Sequence, residues 1–317
     1  MASRADTTAE SPWRWWPVAL ATVALLLPLF SGGYVVYIAS LVLIYVLASF
    51  GTNILTGYTN LISLAGATFF GIGAYGCAIL TTQAGLPLVP AMLGAALIAL
   101  AVGVLLAIPV LRLEEVFLAI ATLGFVMIFM ELAKQGGELT GGESGMAGPA
   151  PALFGVKLGE FGYYGFIVAV LLACLWMARN LSDSRYGRAF LALKGTETAA
   201  RALGLNAPRL KLVAFGICAF YTGVAGALFA PLVRFVDPSV FDIMISISFV
   251  SMVIIGGIGS VWGSVLGAIF VAGAPQLLTY VGLDDVQRSL YGVAMILSLM
   301  FLPDGLVSLF RRSGRAS

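Results

Sequence analysis

RNLSDSRYGRAFLALKGTETAARALGLNAPRLK, residues 179–211, is the long polar interruption in an otherwise apolar chain, and it sets the topology of everything around it. It holds seven of the seventeen Lys and Arg residues: Arg179, Arg185, Arg188, Lys194, Arg201, Arg209 and Lys211. Apolar runs flank it on both sides, and a basic loop between membrane spans is retained on the cytosolic face. Within it, Thr196 caps a predicted helix that opens on Glu197, carries Arg201 four residues later and closes at Gly204, with Pro208 beyond. Such a helix has about two turns and is marginal alone in water, so packing must hold it. Ala199, Ala200 and Ala202 lend it a small-residue surface that another protein can approach; a solvated cytosolic helix is the other reading.

Working outward, 60% hydrophobic and 10% charged residues in 317, with a mean hydropathy of +1.02, describe an all-α polytopic membrane protein. Apolar segments fall near 17–31, 34–51, 61–82, 88–111, 116–133 and 161–178, then near 212–233, 243–258, 261–281 and 288–310. Several are shorter than the roughly 20 residues that span upright, so we expect about 8 to 10 transmembrane helices, with glycine-broken or re-entrant segments among them. Residues 1–16 form a cytosolic N-terminal segment with interfacial Trp13, Trp15 and Trp16, and 17–310 the membrane domain. Residues 311–317, with Arg311, Arg312 and Arg315, form a cytosolic tail. Six crossings from a cytosolic start return the chain to the cytosol at Arg179, and four more place the tail there. The glycine- and proline-rich stretch 134–160 then lies outside, as a linker or as a surface for a soluble partner.

Two segments, GYTNLISLAGATFFGIGAYG (57–76) and MVIIGGIGSVWGSVLGA (252–268), are dense in glycine and small hydroxyl residues, one in each half of the chain. Small residues admit close helix packing, and broken helices are tolerated where freed backbone groups are buried or line a wet cavity. The placement fits transporters in which discontinuous helices meet at a central site, although the halves carry no clean repeat. Ser63, Gly66, Gly71, Gly73, Gly256, Gly257, Gly259 and Ser260 are the candidate path residues; ordinary helix packing is the competing account of each glycine.

Catalytic chemistry is missing from the sequence. There is no histidine, no phosphate-binding, dinucleotide, nucleophile-elbow or zinc-helix motif, and Cys77, Cys174 and Cys218 stand singly in apolar runs as expected of buried thiols. No catalytic residue, cofactor, metal or nucleic-acid partner is expected. Gradient coupling calls for ionisable groups inside the spans, and only Glu131, near a segment end beside Lys134, is a candidate. Energy is therefore expected from a partner acting on the cytosolic loop. A gradient-driven carrier or channel for a small polar solute, and a scaffold whose basic loop binds anionic membrane lipid, are the alternatives.

Five stretches, in order, carry a resemblance: GYTNLISLAGATFFGIGAY; TGGESGMAG; RYGRAFLALKGTETAARALGLN with KLVAFGICAFYTGVAGALFA; DPSVFDIMISISFVSMVIIGGIGSVWGSVLGA; and FLPDGL. Over about residues 35–310 the chain resembles the permease subunits of bacterial branched-chain amino-acid ABC importers, and the TGG loop favours the M-type (LivM-like) subunit. The resemblance implies an inner-membrane importer subunit that forms the path with a sister permease. It also implies two ABC ATPase subunits as motors and a periplasmic binding protein that selects the substrate. Residues 185–206 match the ATPase-coupling region, with Arg185, Tyr186, Gly187, Glu197, Ala199, Ala200 and Gly204 at its recognisable positions. The chain departs from relatives at Gly195 and Thr196, where an acidic or amide residue is usual, and at Ala65 and Gly66, where a Gly-His pair is usual.

Overall fold

The computed structural model describes residues 32–110, 113, 115–153, 156–195, 200, 202, 204–276 and 305–307. The expected first span at 17–31, nearly all of the last at 288–310 and both terminal segments lie outside the described residues. Within them, nine helices run in order: α1 Gly33–Thr59, α2 Gly66–Thr82, α3 Leu88–Val110, α4 Glu115–Gln135, α5 Glu160–Asp183, α6 Arg185–Gly195, α7 Ala207–Val233, α8 Ile243–Gly256 and α9 Val261–Ala268. A π-helical turn, Ile269–Gly273, extends α9. Six helical stretches are long and apolar enough to cross a membrane, and α2 and the segment Val261–Gln276 are shorter apolar helices. The chain is thus a polytopic α-helical membrane protein. Its β-structure among the described residues is two two-residue ladders, Met146–Ala147 with Phe235–Val236 and Ala152–Leu153 with Val156–Lys157.

Local chemistry accounts for the ends. Asn206 caps α7 by accepting from the Arg209 amide at 3.2 Å, with Pro208 in the first turn. Asp242 caps α8 and Ser260 caps α9 in the same way. Ser40 and Thr52 return their hydroxyl protons to carbonyls four residues back, at 2.8 and 3.2 Å, which hides polar groups inside an apolar helix. Tyr163 donates to the Leu228 carbonyl at 2.6 Å and Tyr221 to the Cys174 carbonyl at 3.0 Å, so α5 and α7 are tied by satisfied polar contacts. Cys77, Cys174 and Cys218 are buried free thiols, as expected.

The centre of the bundle is α7, packed chiefly on α1, α2 and α3. Each of the three brings a glycine to it: Gly51 lies against the Cys218 carbonyl and Tyr221, Gly73 against the Gly223 backbone, and Gly103 against Ala219. In return, Gly226 of α7 lies on the Phe70 carbonyl of α2. Lipid tails are as apolar as leucine, so helices in a bilayer associate through close van der Waals contact, which glycine permits. Phe70 also meets Tyr45, Phe229, Phe241 and Phe249, with ring centres 5.1 to 6.1 Å apart, which binds α2 to α1, α7 and α8.

Two ends of the bundle are distinct. At one, Leu55, Leu106, Val110, Leu118, Phe190, Leu193, Ala200 and Leu210 pack together, bringing the last turns of α1 and α3 and the first of α4 and α7 to the basic stretch. At the other, Gln83 reaches the Glu138 and Leu139 carbonyls and Gly148 donates to the Arg234 carbonyl at 2.9 Å. Stretch 134–160 is thus anchored at the end opposite to 179–211, and α5, about 36 Å long, separates them.

Candidate functional site

Both glycine-rich segments turn out to contain helix breaks, and both breaks lie at the basic-loop end. The first, residues 60–65, separates α1 from α2; the second, residues 257–260, separates α8 from α9. A break strands amide protons at the start of the next helix. In the first, other helices supply the acceptors: Leu64 donates to Thr122 Oγ1 at 3.0 Å and Ala67 to Ser246 Oγ at 2.8 Å. In the second, Gly257 adopts φ 125°, ψ 115°, a backbone state that side chains disfavour, and the chain reverses so that Gly256 lies on the Gly263 carbonyl.

One side chain joins α1 to the second break. Asn53, fully buried in α1, accepts from the Gly259 amide at 2.8 Å and donates to the Ser260 carbonyl at 2.7 Å and to Ser264 Oγ at 2.9 Å. Gly57, one turn on, lies against Gly259, where a β-carbon would stand 2.5 Å from its nitrogen. The backbone near the described C-terminal residues joins too, with Leu306 donating to the Ile255 carbonyl at 2.8 Å.

Of the eight predicted path residues, Gly259 and Ser260 are therefore held by Asn53, while Gly256 and Gly257 lie at the same break against Gly263. Ser63 is buried in the first break, where its hydroxyl accepts from the Ala65 amide at 3.3 Å, and Gly66 opens α2 against the Phe249 ring. Gly71 and Gly73 stand apart, inside α2, facing Phe129 with Phe241 and the Gly223 backbone respectively. Each break exposes one isoleucine, Ile62 at 43% and Ile258 at 49%. Asn53 was absent from the sequence-based candidates, although an amide placed four residues before a glycine in an apolar span was a readable signal, since buried polar groups need partners.

The predicted coupling residues divide as well. Arg185, Tyr186 and Gly187 open α6, a helix the sequence reading did not assign; of the helix it placed at 197–204, residues 200 and 202 are helical. Ser184 caps α6 by accepting from Tyr186 N at 3.1 Å, and Gly187 lies against the Leu181 and Ser182 carbonyls, so the chain turns sharply out of α5. Gly187, Phe190 and Leu193 bury one face, and a cavity of only about 10 Å³ remains between α1, α5 and α6. Arg185, Arg188 and Leu191 lie away from that face, whereas Tyr186, one turn before Phe190, is on its side but at the uncovered start of the helix; Tyr186 and Leu191 are each 53% exposed. Glu197 and Ala199 lie outside the described residues. Ala200 is fully buried among Phe190, Leu193 and Ala207, so its methyl seats this chain's own connection and presents no outer surface. Gly204, at φ 77°, lets Leu205 N donate to the Ala200 carbonyl at 3.0 Å, the bond that closes a helix at a left-handed glycine.

Among the described residues no three His, Cys, Asp or Glu side chains meet to hold a metal. What the site offers is mechanical: two backbone breaks, a buried amide between them and an amphipathic surface helix at the same end.

Comparison with known proteins places these features in context. The profile of the family described as "Branched-chain amino acid transport system / permease component" matches residues 34–299. The chain is 34% identical to the high-affinity branched-chain amino acid transport system permease protein LivM of Escherichia coli, over 93% of this chain and 75% of that protein. The Salmonella typhimurium protein of the same description is 32% identical, over 94% of this chain and 77% of its own. A shorter match, 30% identical over 41% of this chain and 37% of the relative, is to the autoinducer 2 import system permease protein LsrC of Escherichia coli. No solved structure matches the chain.

Proposed function

Because the chain belongs to the branched-chain amino acid transport permease family, we propose that it forms, with a sister permease, the inner-membrane path of an ATP-driven importer for branched-chain or related amino acids. The protein is the permease component of an ABC importer, not an enzyme itself. In our reading two ATPase subunits dock on α6 from the cytosol and a periplasmic binding protein delivers substrate to the end formed by 134–160. Residues 179–211 and both termini are cytosolic in this scheme. The breaks at 60–65 and 257–260, with Ser63, Gly66, Gly256, Gly257, Gly259 and Ser260, border the inner part of the path, while Gly71 and Gly73 hold α2 in place beside it. The substrate class rests on what the relatives transport.

The observation that carries the coupling assignment is the uncovered face of α6. Leu191 is apolar surface in line with Arg188 and Arg185, on a helix whose other face is locked into the bundle, and Tyr186 is exposed at the start of that helix. A partly apolar, basic face in that position suits a protein partner, since aromatic and arginine anchors dominate interface energetics. Leu191→Asp leaves the core untouched and is expected to lower copurification of the ATPase subunits at least about fivefold, as loss of an interface anchor does. Wild-type copurification at unchanged membrane levels refutes docking at α6.

Orientation has its own test. In a background lacking Cys77, Cys174 and Cys218, a membrane-impermeant thiol reagent applied to intact spheroplasts is expected to label Ser144→Cys at once and Arg188→Cys only after permeabilisation. Both positions are exposed. The reverse pattern inverts the proposed topology.

A further inference from the structure

A side chain of the basic stretch comes close to the second helix break. Lys194, in the last turn of α6, carries its ammonium to within 3.4 Å of the point where a β-carbon on Gly259 would stand. Gly259 is the residue whose amide Asn53 holds at 2.8 Å, and it stands three residues past Gly256, where α8 ends. A helix C-terminus carries unpaired carbonyls and partial negative charge, and an ammonium there is favoured. Asn53 thus pins the break from the α1 side while Lys194 bears on it from the α6 side.

The two contacts differ in what stands behind them. Asn53 is buried in α1, a 27-residue helix embedded in the bundle. Lys194 is exposed and follows Leu193, whose side chain is buried with Phe190 in the cluster shared with Leu55 and Leu61. The packed inner face makes α6 a stiff lever, because interiors at this density transmit displacement. A shift of α6 therefore moves the Lys194 ammonium relative to a backbone held open by glycines.

We propose that Lys194 is a positioning residue that transmits movement of α6 to the Gly257–Ser260 break, and so couples events at the outer face of α6 to the opening between α8 and α9. This rests on the permease reading given above. Its specific content is that the link is electrostatic and runs through Lys194, one turn beyond Leu191.

The test uses the complete transporter, permeases and ATPases together, reconstituted in proteoliposomes with the binding protein and leucine as the probe substrate. Lys194→Met keeps the length and apolar stem of the side chain and removes the charge. ATPase subunits are expected to copurify as in wild type, while leucine taken up per ATP hydrolysed falls at least about fivefold, the lower end of ordinary coupling energies between sites. Lys194→Arg restores most of that ratio, which a merely space-filling role does not predict. A wild-type uptake-to-ATP ratio in Lys194→Met overturns the proposal, as does a loss that Lys194→Arg fails to rescue. If the wild-type chain itself neither copurifies with ATPases nor takes up leucine, the transport reading fails instead, and the two failures are told apart by the wild-type control.

Discussion

Gly226→Leu is expected to keep the protein from accumulating in the membrane at all. A β-carbon on Gly226 would fall on the Phe70 carbonyl and close to the Ala74 nitrogen, so a side chain there meets backbone on the neighbouring helix. Overfilling a core costs about 1–3 kcal/mol where side chains can shift. Here no side chain is available to shift, and α2 and α7 must separate along the contact that also includes Gly73 and Gly223. The loss is expected to exceed about 4 kcal/mol, the range reached only by core disruption. Gly165→Leu in α5 is the matched control, because nothing stands within 4 Å of its would-be β-carbon. Quantitative immunoblotting of membranes and size-exclusion of a fluorescent fusion read both variants. Equal recovery of monodisperse protein for the two refutes the close approach of α2 to α7.

The second large effect is expected at Asn53. Replacement by leucine preserves volume and strands the Gly259 amide and the Ser260 carbonyl, both at half-buried residues, and the fully buried Ser264 hydroxyl. Each buried group left without a partner costs about 1–3 kcal/mol, and rotation of the serine hydroxyl recovers part of it, so the net loss is about 2–5 kcal/mol. Ser264→Ala removes one of the three contacts along with its own hydroxyl and is expected to cost about 1 kcal/mol. Thermal unfolding in detergent should rank wild type, Ser264→Ala and Asn53→Leu in that order of decreasing midpoint. An Asn53→Leu variant that unfolds at or above the Ser264→Ala midpoint removes the amide from its role as pin. The break also bears on uptake, so Asn53→Leu is expected to transport poorly even at a temperature where it remains folded.

How far these features were readable in advance differs from residue to residue. The spans were legible because transfer into lipid is a sum over local side chains: 88–111 and 116–133, read from apolar runs, correspond to α3 Leu88–Val110 and α4 Glu115–Gln135. The polar stretch after 178 hid two structural facts. Helix α5 continues to Asp183 and α7 begins at Ala207, since helical hydrogen bonding does not stop where hydrophobicity does. Helix α6 is not legible in the sequence because its buried face is only Gly187, Phe190 and Leu193, a short apolar repeat broken by the exposed Leu191. The cap signals at Thr196 and Glu197 point to the turn that follows, of which Ala200 is a core residue.

The sequence alone determined that this chain is a bundle of membrane helices with a basic loop on one side and a breakable, glycine-rich segment in each half, because hydrophobicity, charge bias and glycine content are properties of neighbours along the chain. Which glycine faces which backbone was decided only in three dimensions. Gly73 and Gly226 became contact points because α2 and α7 cross there, and Gly259 became a joint because Asn53, 206 residues earlier, reaches it. A hydrogen bond or a van der Waals contact depends on the relative placement of two helices to within a fraction of an ångström, and no local property of either segment encodes that placement.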